Sequence, residues 1–307
     1  MIHSITVTNH LGDSIKLELT RPDTSGFIVG AVEGLGPTKA DINTAKVASG
    51  DGGSFNSARR NERNVVLTLI YADWMPNESI EDIRHKSYKY FPTKKKISLL
   101  IETDNRTVKT EGYVESNDPI IFSKREGSTI SIICPDPNLY SAGLDANTEV
   151  VFYGVEPVFE FPFSNESLNE PLLEMTNINR TNIRSVVYDG DTEIGVTITI
   201  RALGPAENIA IRNFGTNESM NIDTDKLLVK TGSGITAGDT IVVNTARGHK
   251  GIALIRNGVS TNILNCLSKD TDWFQLVRGN NVFSFDAISG VHNLEFTVEH
   301  GTIYEGV

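Results

Sequence analysis

Thr192-Glu193-Ile194-Gly195-Val196-Thr197-Ile198-Thr199-Ile200-Arg201 is the stretch that sets the fold class. Ile194, Val196, Ile198 and Ile200 fall on one face, and Thr197, Thr199 and Arg201 on the other. That is the period of two of a half-buried strand. Downstream the chain reads as further short strands, at Asn208–Asn213, Leu227–Val229, Asp239–Asn244, Ile252–Arg256, Val259–Leu264 and Asn293–Val298. Turns at Asp189-Gly190-Asp191, Gly232-Ser233-Gly234 and Asn257-Gly258 separate them, the last being the favoured two-residue hairpin type. Short strands in this number and spacing indicate a β-sandwich over residues 141–307, with no helix expected there.

Upstream, strands are expected at Lys16–Leu19, Phe27–Val32, Val65–Tyr71, Lys96–Glu102, Thr107–Val114 and Thr129–Ile133. Thr103-Asp104-Asn105-Arg106 supplies hairpin residues between the fourth and fifth. One helix runs from Ser79 to about Tyr90, with Ser79 as cap and Asp82 as capping-box partner. Ile80, Ile83, Ser87 and Tyr90 share one face of it, and Phe91-Pro92 ends it. Cys134-Pro135-Asp136-Pro137 then stops the last strand, which places a domain boundary near residue 140.

Composition supports two soluble domains: 307 residues, 39% hydrophobic and 22% charged. The formal charge of −11 is unevenly shared, with 17 Lys+Arg against 18 Asp+Glu in residues 1–140 and 11 against 21 in the rest. Such a balance argues against a sequence-specific nucleic-acid binder, which needs a basic face. No apolar run approaches the ~20 residues of a membrane span, so no membrane partner is expected. The opening MIHSITVTNHLGDSIK lacks the order of a signal peptide, so assembly in a cytoplasm is expected.

The residues offer little chemistry. The six histidines form no H-x-x-H or H-E-x-x-H spacing, and no G-x-S-x-G or phosphate-loop motif occurs. No catalytic residue, cofactor or metal site is therefore expected. Asp189-Gly190-Asp191 and Asp223-Thr224-Asp225 read as turns, with a weak calcium site as the other reading. Cys134 and Cys266 sit in aliphatic runs and read as buried thiols. Trp273 suits either core packing or stacking on a sugar ring, and Trp74 either a core or an interface.

Residues 33–62 stand apart, polar and rich in Gly, Ser, Thr and Asn. A loop of that length is functional or disordered, or else it is an arm that orders against a neighbour. It ends in Arg59-Arg60-Asn61-Glu62-Arg63, which reads either as a solvated face or as contact with an acidic partner surface.

Several segments carry a family likeness. They are Gly52-Gly53-Ser54-Phe55-Asn56-Ser57-Ala58-Arg59-Arg60, Arg63-Asn64-Val65-Val66-Leu67, Tyr88-Lys89-Tyr90-Phe91-Pro92, Gly112-Tyr113-Val114-Glu115 and Ser131-Ile132-Ile133-Cys134-Pro135-Asp136-Pro137. In the second half they are Gly195–Ile200, Asp270-Thr271-Asp272-Trp273-Phe274 and Tyr304-Glu305-Gly306-Val307. The chain resembles the distal tail proteins of long-tailed, non-contractile bacteriophages of Gram-positive hosts. The resemblance implies a mainly β structural protein of the virion tail tip, without enzyme activity. Its N-terminal domain, residues 1–140, would be β-barrel or sandwich-like with one helix, and would build a ring, typically hexameric, around a channel for DNA. Residues 141–307 would form a galectin-like β-sandwich. The ring would join the tail tube protein to baseplate or tail-fibre proteins, and a belt-like arm, mapped onto residues 33–62, would grip the next copy. Phe55, Arg59, Arg60 and Arg63 are the residues expected at that interface. The alternative is a carbohydrate-binding module that meets the host wall through the sandwich, with Trp273 as the sugar contact.

Overall fold

Alternation in the sequence becomes antiparallel pairing throughout the computed structural model, which describes residues 1–46, 51–76, 78–143, 146–157, 176–180 and 182–307. The chain divides into two units: Met1–Ala146 together with Ile303–Val307, and Asn147–Thr302. The division thus falls six residues beyond the boundary expected near residue 140, and the last five residues return to the first unit.

The first unit is built on one large sheet. Its strands are β1 (Ile2–Thr8), β2 (Ser14–Glu18), β3 (Phe27–Glu33), β6 (Arg63–Tyr71), β7 (Lys96–Thr103), β8 (Thr107–Ile120), β9 (Gly127–Cys134) and β10 (Leu139–Ser141), with β4 (Ala40–Lys46) and β5 (Gly53–Arg60) lying off it. The order is β2-β1-β7-β8-β9-β6-β3, and β10 adds beside β8. The C-terminal strand Ile303–Tyr304 pairs with β10. Pairing of Glu102 with Thr107 closes the hairpin expected at Thr103–Arg106. β8 runs six residues past the expected end at Val114, through a register shift between Val114 and Ser116, and still pairs with β9 up to Ile120. Val7, Leu17, Phe27, Leu67, Leu99, Ile101 and Ile130 are fully buried in one apolar cluster.

Helix α1 (Ile80–Tyr90) starts as the residues dictate. The Asp82 amide donates to the Ser79 hydroxyl, and the Asp82 carboxylate accepts from the Ser79 amide. This reciprocal capping satisfies two donors that the first turn leaves free. Ile83 and Ser87 are the buried positions of its expected inner face, with Ile80 and Tyr90 half-buried.

The second unit is a sandwich. One sheet orders Thr148–Val151, Leu294–His300, Thr197–Ala202, Thr240–Asn244, Gly251–Arg256 and Val259–Asn262. The other orders Ile183–Tyr188, Gly279–Ser289, Glu207–Asn213 and Glu218–Ile222. Val196, Ile198 and Ile200 are buried in the core between the sheets, as their alternation requires. Phe285 stacks on Phe296 with ring centroids 4.1 Å apart, and Phe152 meets Phe285 edge-on at 4.6 Å. At Arg256–Val259 the turn residues Asn257 and Gly258 both take positive φ, 51° and 78°. That geometry matches the twist of the flanking strands.

One expectation fails in this unit. Leu227–Val229 is not a strand but the middle of a helix, α2 (Thr224–Thr231). The Asp223 carboxylate accepts from the Asp225 and Lys226 amides, and Gly232 closes the helix in the left-handed conformation at φ 80°. The acidic cluster around Asp223 is therefore a helix cap, which corrects its reading as a turn or a calcium site.

Candidate assembly interface

Beyond Glu33, the last residue of β3, the described residues of the 33–62 stretch form a hairpin of their own off the main sheet. β4 and β5 pair only with each other, from Ala40 with Arg60 to Lys46 with Gly53. Cross-strand partners share a face. Ala40, Ile42, Thr44 and Lys46 lie on one side with Arg60, Ala58 and Phe55; Asp41, Asn43 and Ala45 lie on the other with Arg59, Ser57 and Ser54. The register shifts between Asn43 and Thr44, so that Asn56 is the extra residue. A one-residue slip exchanges faces, and this bulge is what brings Phe55 round to the side of Ile42. The hairpin is thus amphipathic, and its apolar face is open: Ile42 is 65% and Phe55 67% exposed.

The root of the hairpin is locked by Arg63, at the first position of β6 and 1% exposed. Its Nε and one terminal nitrogen donate to the Pro137 carbonyl at 2.9 and 2.7 Å. The other nitrogen donates to the Gly34 and Gly36 carbonyls at 2.6 and 2.7 Å, and a fifth bond reaches the Glu305 carbonyl at 2.8 Å. All five donors of the guanidinium are used. Burial pushes its pKa down, against the opposing pull of Cys134, Asp136 and Glu305. Gly34 makes the close approach possible: at φ 82° it lies where a Cβ would overlap the Asn64 carbonyl oxygen.

The expected interface residues therefore separate. Phe55 and Arg59 are exposed on opposite faces of the hairpin, and Arg59 has no ion pair among the described residues. Arg60 donates to Asn138 Oδ1 at 2.8 Å and to the Glu305 carboxylate at 3.2 Å. Arg63 is a clamp inside its own unit, which corrects its placement at a surface: a side chain with every donor consumed has nothing to offer a partner. Gly34, Gly36, Asn138 and Glu305 complete the root, and only their approach in space, not their spacing in sequence, reveals them.

In the second unit Trp273 packs half-buried against the core, with Lys250 Nζ 5.7 Å from its ring centroid. Phe274 beside it is fully buried. His300 is buried at a strand end, edge-on to Tyr188, whereas His292 lies exposed in a short 3-10 turn. Among the described residues no group of His, Cys, Asp or Glu is placed to hold a metal ion. Cys134 and Cys266 are both buried, and burial raises both thiol pKa values.

Residues 189–300 match the family described as the siphovirus-type tail component, C-terminal domain. Over these residues the second unit is similar to that tail-component domain. The whole chain also shares a fold with a solved phage protein, the SPP1 Dit protein, presented as a paradigm of the hub adsorption apparatus in Gram-positive-infecting phages. That likeness covers 97% of this chain and 98% of the other, at 15% identity and a TM-score of 0.63. Structures of the phage P2 baseplate in its activated conformation, with Ca and with Sr, align at 11% identity with TM-scores of 0.45 and 0.43, too low to carry an argument. No curated protein matches the sequence. The resemblance to distal tail proteins is borne out by the family match in the second unit and by the fold over the full length. The chain is mainly β, as that shared fold requires.

Proposed function

We propose that the protein is a ring-forming subunit of the tail tip, joining the tail tube to baseplate or tail-fibre proteins around a channel through which DNA passes. The β4–β5 arm is the element that grips the next copy. The uncovered apolar face of that arm carries this reading. A lone two-stranded hairpin is marginal in water, and it needs a packed face to be stable. Burying Phe55 and Ile42 against a neighbour contributes about 1.5–3 kcal/mol each. The near-balanced charge of residues 1–140 suits a channel that passes a polyanion without holding it.

The arm is removable without strain at its ends. The Asn61 amide donates to the Lys39 carbonyl at 3.0 Å, so a two-residue turn can replace residues 40–60. Full-length protein is expected to run as a closed, hexamer-sized ring by light scattering, with a central hole in negative stain. The shortened protein is expected to be a folded monomer whose far-UV dichroism loses only the strand signal of β4 and β5. Rings formed by the shortened protein would overturn the role of the arm.

A further inference from the structure

The first unit has a second apolar feature, at the end of the sheet away from the arm. A groove of about 440 Å³ is lined by Ile28, Ile70, Tyr71, Asp73, Trp74 and the Ser123–Glu126 turn. Trp74 is 56% exposed, and beside it the end of the β8–β9 hairpin presents Ile121 at 42% and Phe122 at 99%. Phe122 is held at φ 61°, a conformation that bulky residues rarely adopt. An exposed apolar tip kept in an unfavourable backbone state marks a contact surface better than a chance exposure.

We infer that this groove receives the apolar face of the arm of the next copy. The inference rests on the ring reading above and names the surface that the arm meets. β3, β6 and β9 lie side by side. Glu33 pairs with Val66, and Arg63 with Cys134, at the arm end, whereas Phe27 pairs with Tyr71, and Ile70 with Gly127, at the groove end. The nine residues of β6 separate the two ends by about 26 Å, at ~3.3 Å per residue. A protrusion at one end and a recess at the other make a head-to-tail contact, the kind that closes into a ring when the rotation permits.

Charge agrees with shape. Lys46 lies on the apolar face of the arm, with Asp51 beyond its far end, while Asp73 lies in the groove and Lys124 and Arg125 on its rim. None of these five has an ion pair among the described residues. Each sign on the arm has an opposite sign waiting at the groove.

Both native cysteines are buried, so engineered thiols can be cross-linked alone. Full-length protein carrying Ala58→Cys and Ser123→Cys keeps Phe55 and Trp74 and places one thiol at each surface. With a short bismaleimide it is expected to give a ladder of covalent oligomers ending at the ring. A mixture of the two single variants is expected to give dimers only, and either alone none. Rings in negative stain without a ladder would overturn the groove as receptor while leaving the ring reading intact. A wild-type protein that forms no ring at any concentration would overturn both. Trp74→Arg with Ile121→Asp, both at exposed positions, guards against a cross-linking artefact. With far-UV dichroism and thermal midpoint unchanged, it is expected to raise the concentration for half-assembly roughly tenfold or more. Assembly at the wild-type concentration would sink the inference.

Discussion

Arg63 shows how one side chain sets the geometry of a whole element. Its charge is buried without a carboxylate directly bonded to it, and carbonyl dipoles from the arm root, the Pro137 segment and the C-terminal tail satisfy it instead. Lysine keeps the charge but concentrates its three donors at one point, so it cannot serve four carbonyls. Arg63→Lys is therefore expected to lower stability by about 2–4 kcal/mol, read from the urea midpoint, because buried acceptors lose their partners. Faster amide exchange in β4 and β5 is expected alongside. A second buried charge makes a different prediction. Burial raises the pKa of Asp239, but bonds from Arg256 at 2.7 Å and from the Thr236 amide at 2.8 Å outweigh it, and the net shift is downward. A carboxylate with a folded pKa below its unfolded value stabilises above the unfolded pKa, and that stability is lost as pH falls through the folded one. Asp239→Asn should cost about 3 kcal/mol at pH 7, since it leaves Arg256 without its partner. The gap from wild type should begin to narrow below about pH 4, the ordinary carboxyl value, and close only as pH falls through the lower folded value, where the wild-type carboxyl protonates too. Trp74→Phe leaves Trp273 as the sole tryptophan reporter of the second unit for that titration. A gap that stays constant with pH would refute the assignment.

Elements were legible where packing enforces a period, and illegible where contact replaces it. Thr197–Ala202 and β6 alternate because one side of each faces a core, and α1 carries both its cap and its inner face in its sequence. The arm has no core of its own to alternate against. Only Ile42 and Phe55 mark its apolar face, and the bulge at Asn56 puts them out of phase in the sequence. α2 misled for a related reason. Leu227-Leu228-Val229 is a short apolar run, which periodicity cannot divide between strand and helix, and Asp223 and Gly232 mark both turns and helix ends. The extension of β8 past Val114 was hidden by its polar residues: Glu115 falls at the register shift, and Ser116 to Asp118 pair with β9 but fill no core. At the candidate interface Phe55 was expected only through the family resemblance, not from its spacing. Trp74 was readable only as core or interface, and its groove not at all. That groove joins β3, the end of β6 and the β8–β9 turn, which only the sheet order brings together.

At the scale of the molecule, the path of the chain matters as much as its composition. It builds the first unit, passes through the second, and returns for its last five residues. Those residues are structural. Ile303 is buried, Tyr304 lies 4.2 Å from the Arg106 guanidinium, and the Val307 amide donates to the Leu35 carbonyl at 3.1 Å. Glu305 engages both Arg60 and Arg63, so the tail reaches the same root that orients the arm. Truncation after Thr302 would leave Arg63 one acceptor short and Arg60 without its carboxylate, besides exposing the surface under Ile303. The expected cost to the first unit is about 2–4 kcal/mol, from a lost charged hydrogen bond and the burial of one aliphatic side chain. The truncated residues belong to the first unit, so the unfolding of the second unit is expected to stay unchanged. The two tryptophans allow the separation, since Trp74 lies in the first unit and Trp273 in the second. Single-tryptophan versions of the truncated protein should show an earlier urea midpoint from Trp74 and an unchanged one from Trp273. If both midpoints move together, the units unfold as one cooperative body; if neither moves, the tail is not part of the clamp on the arm.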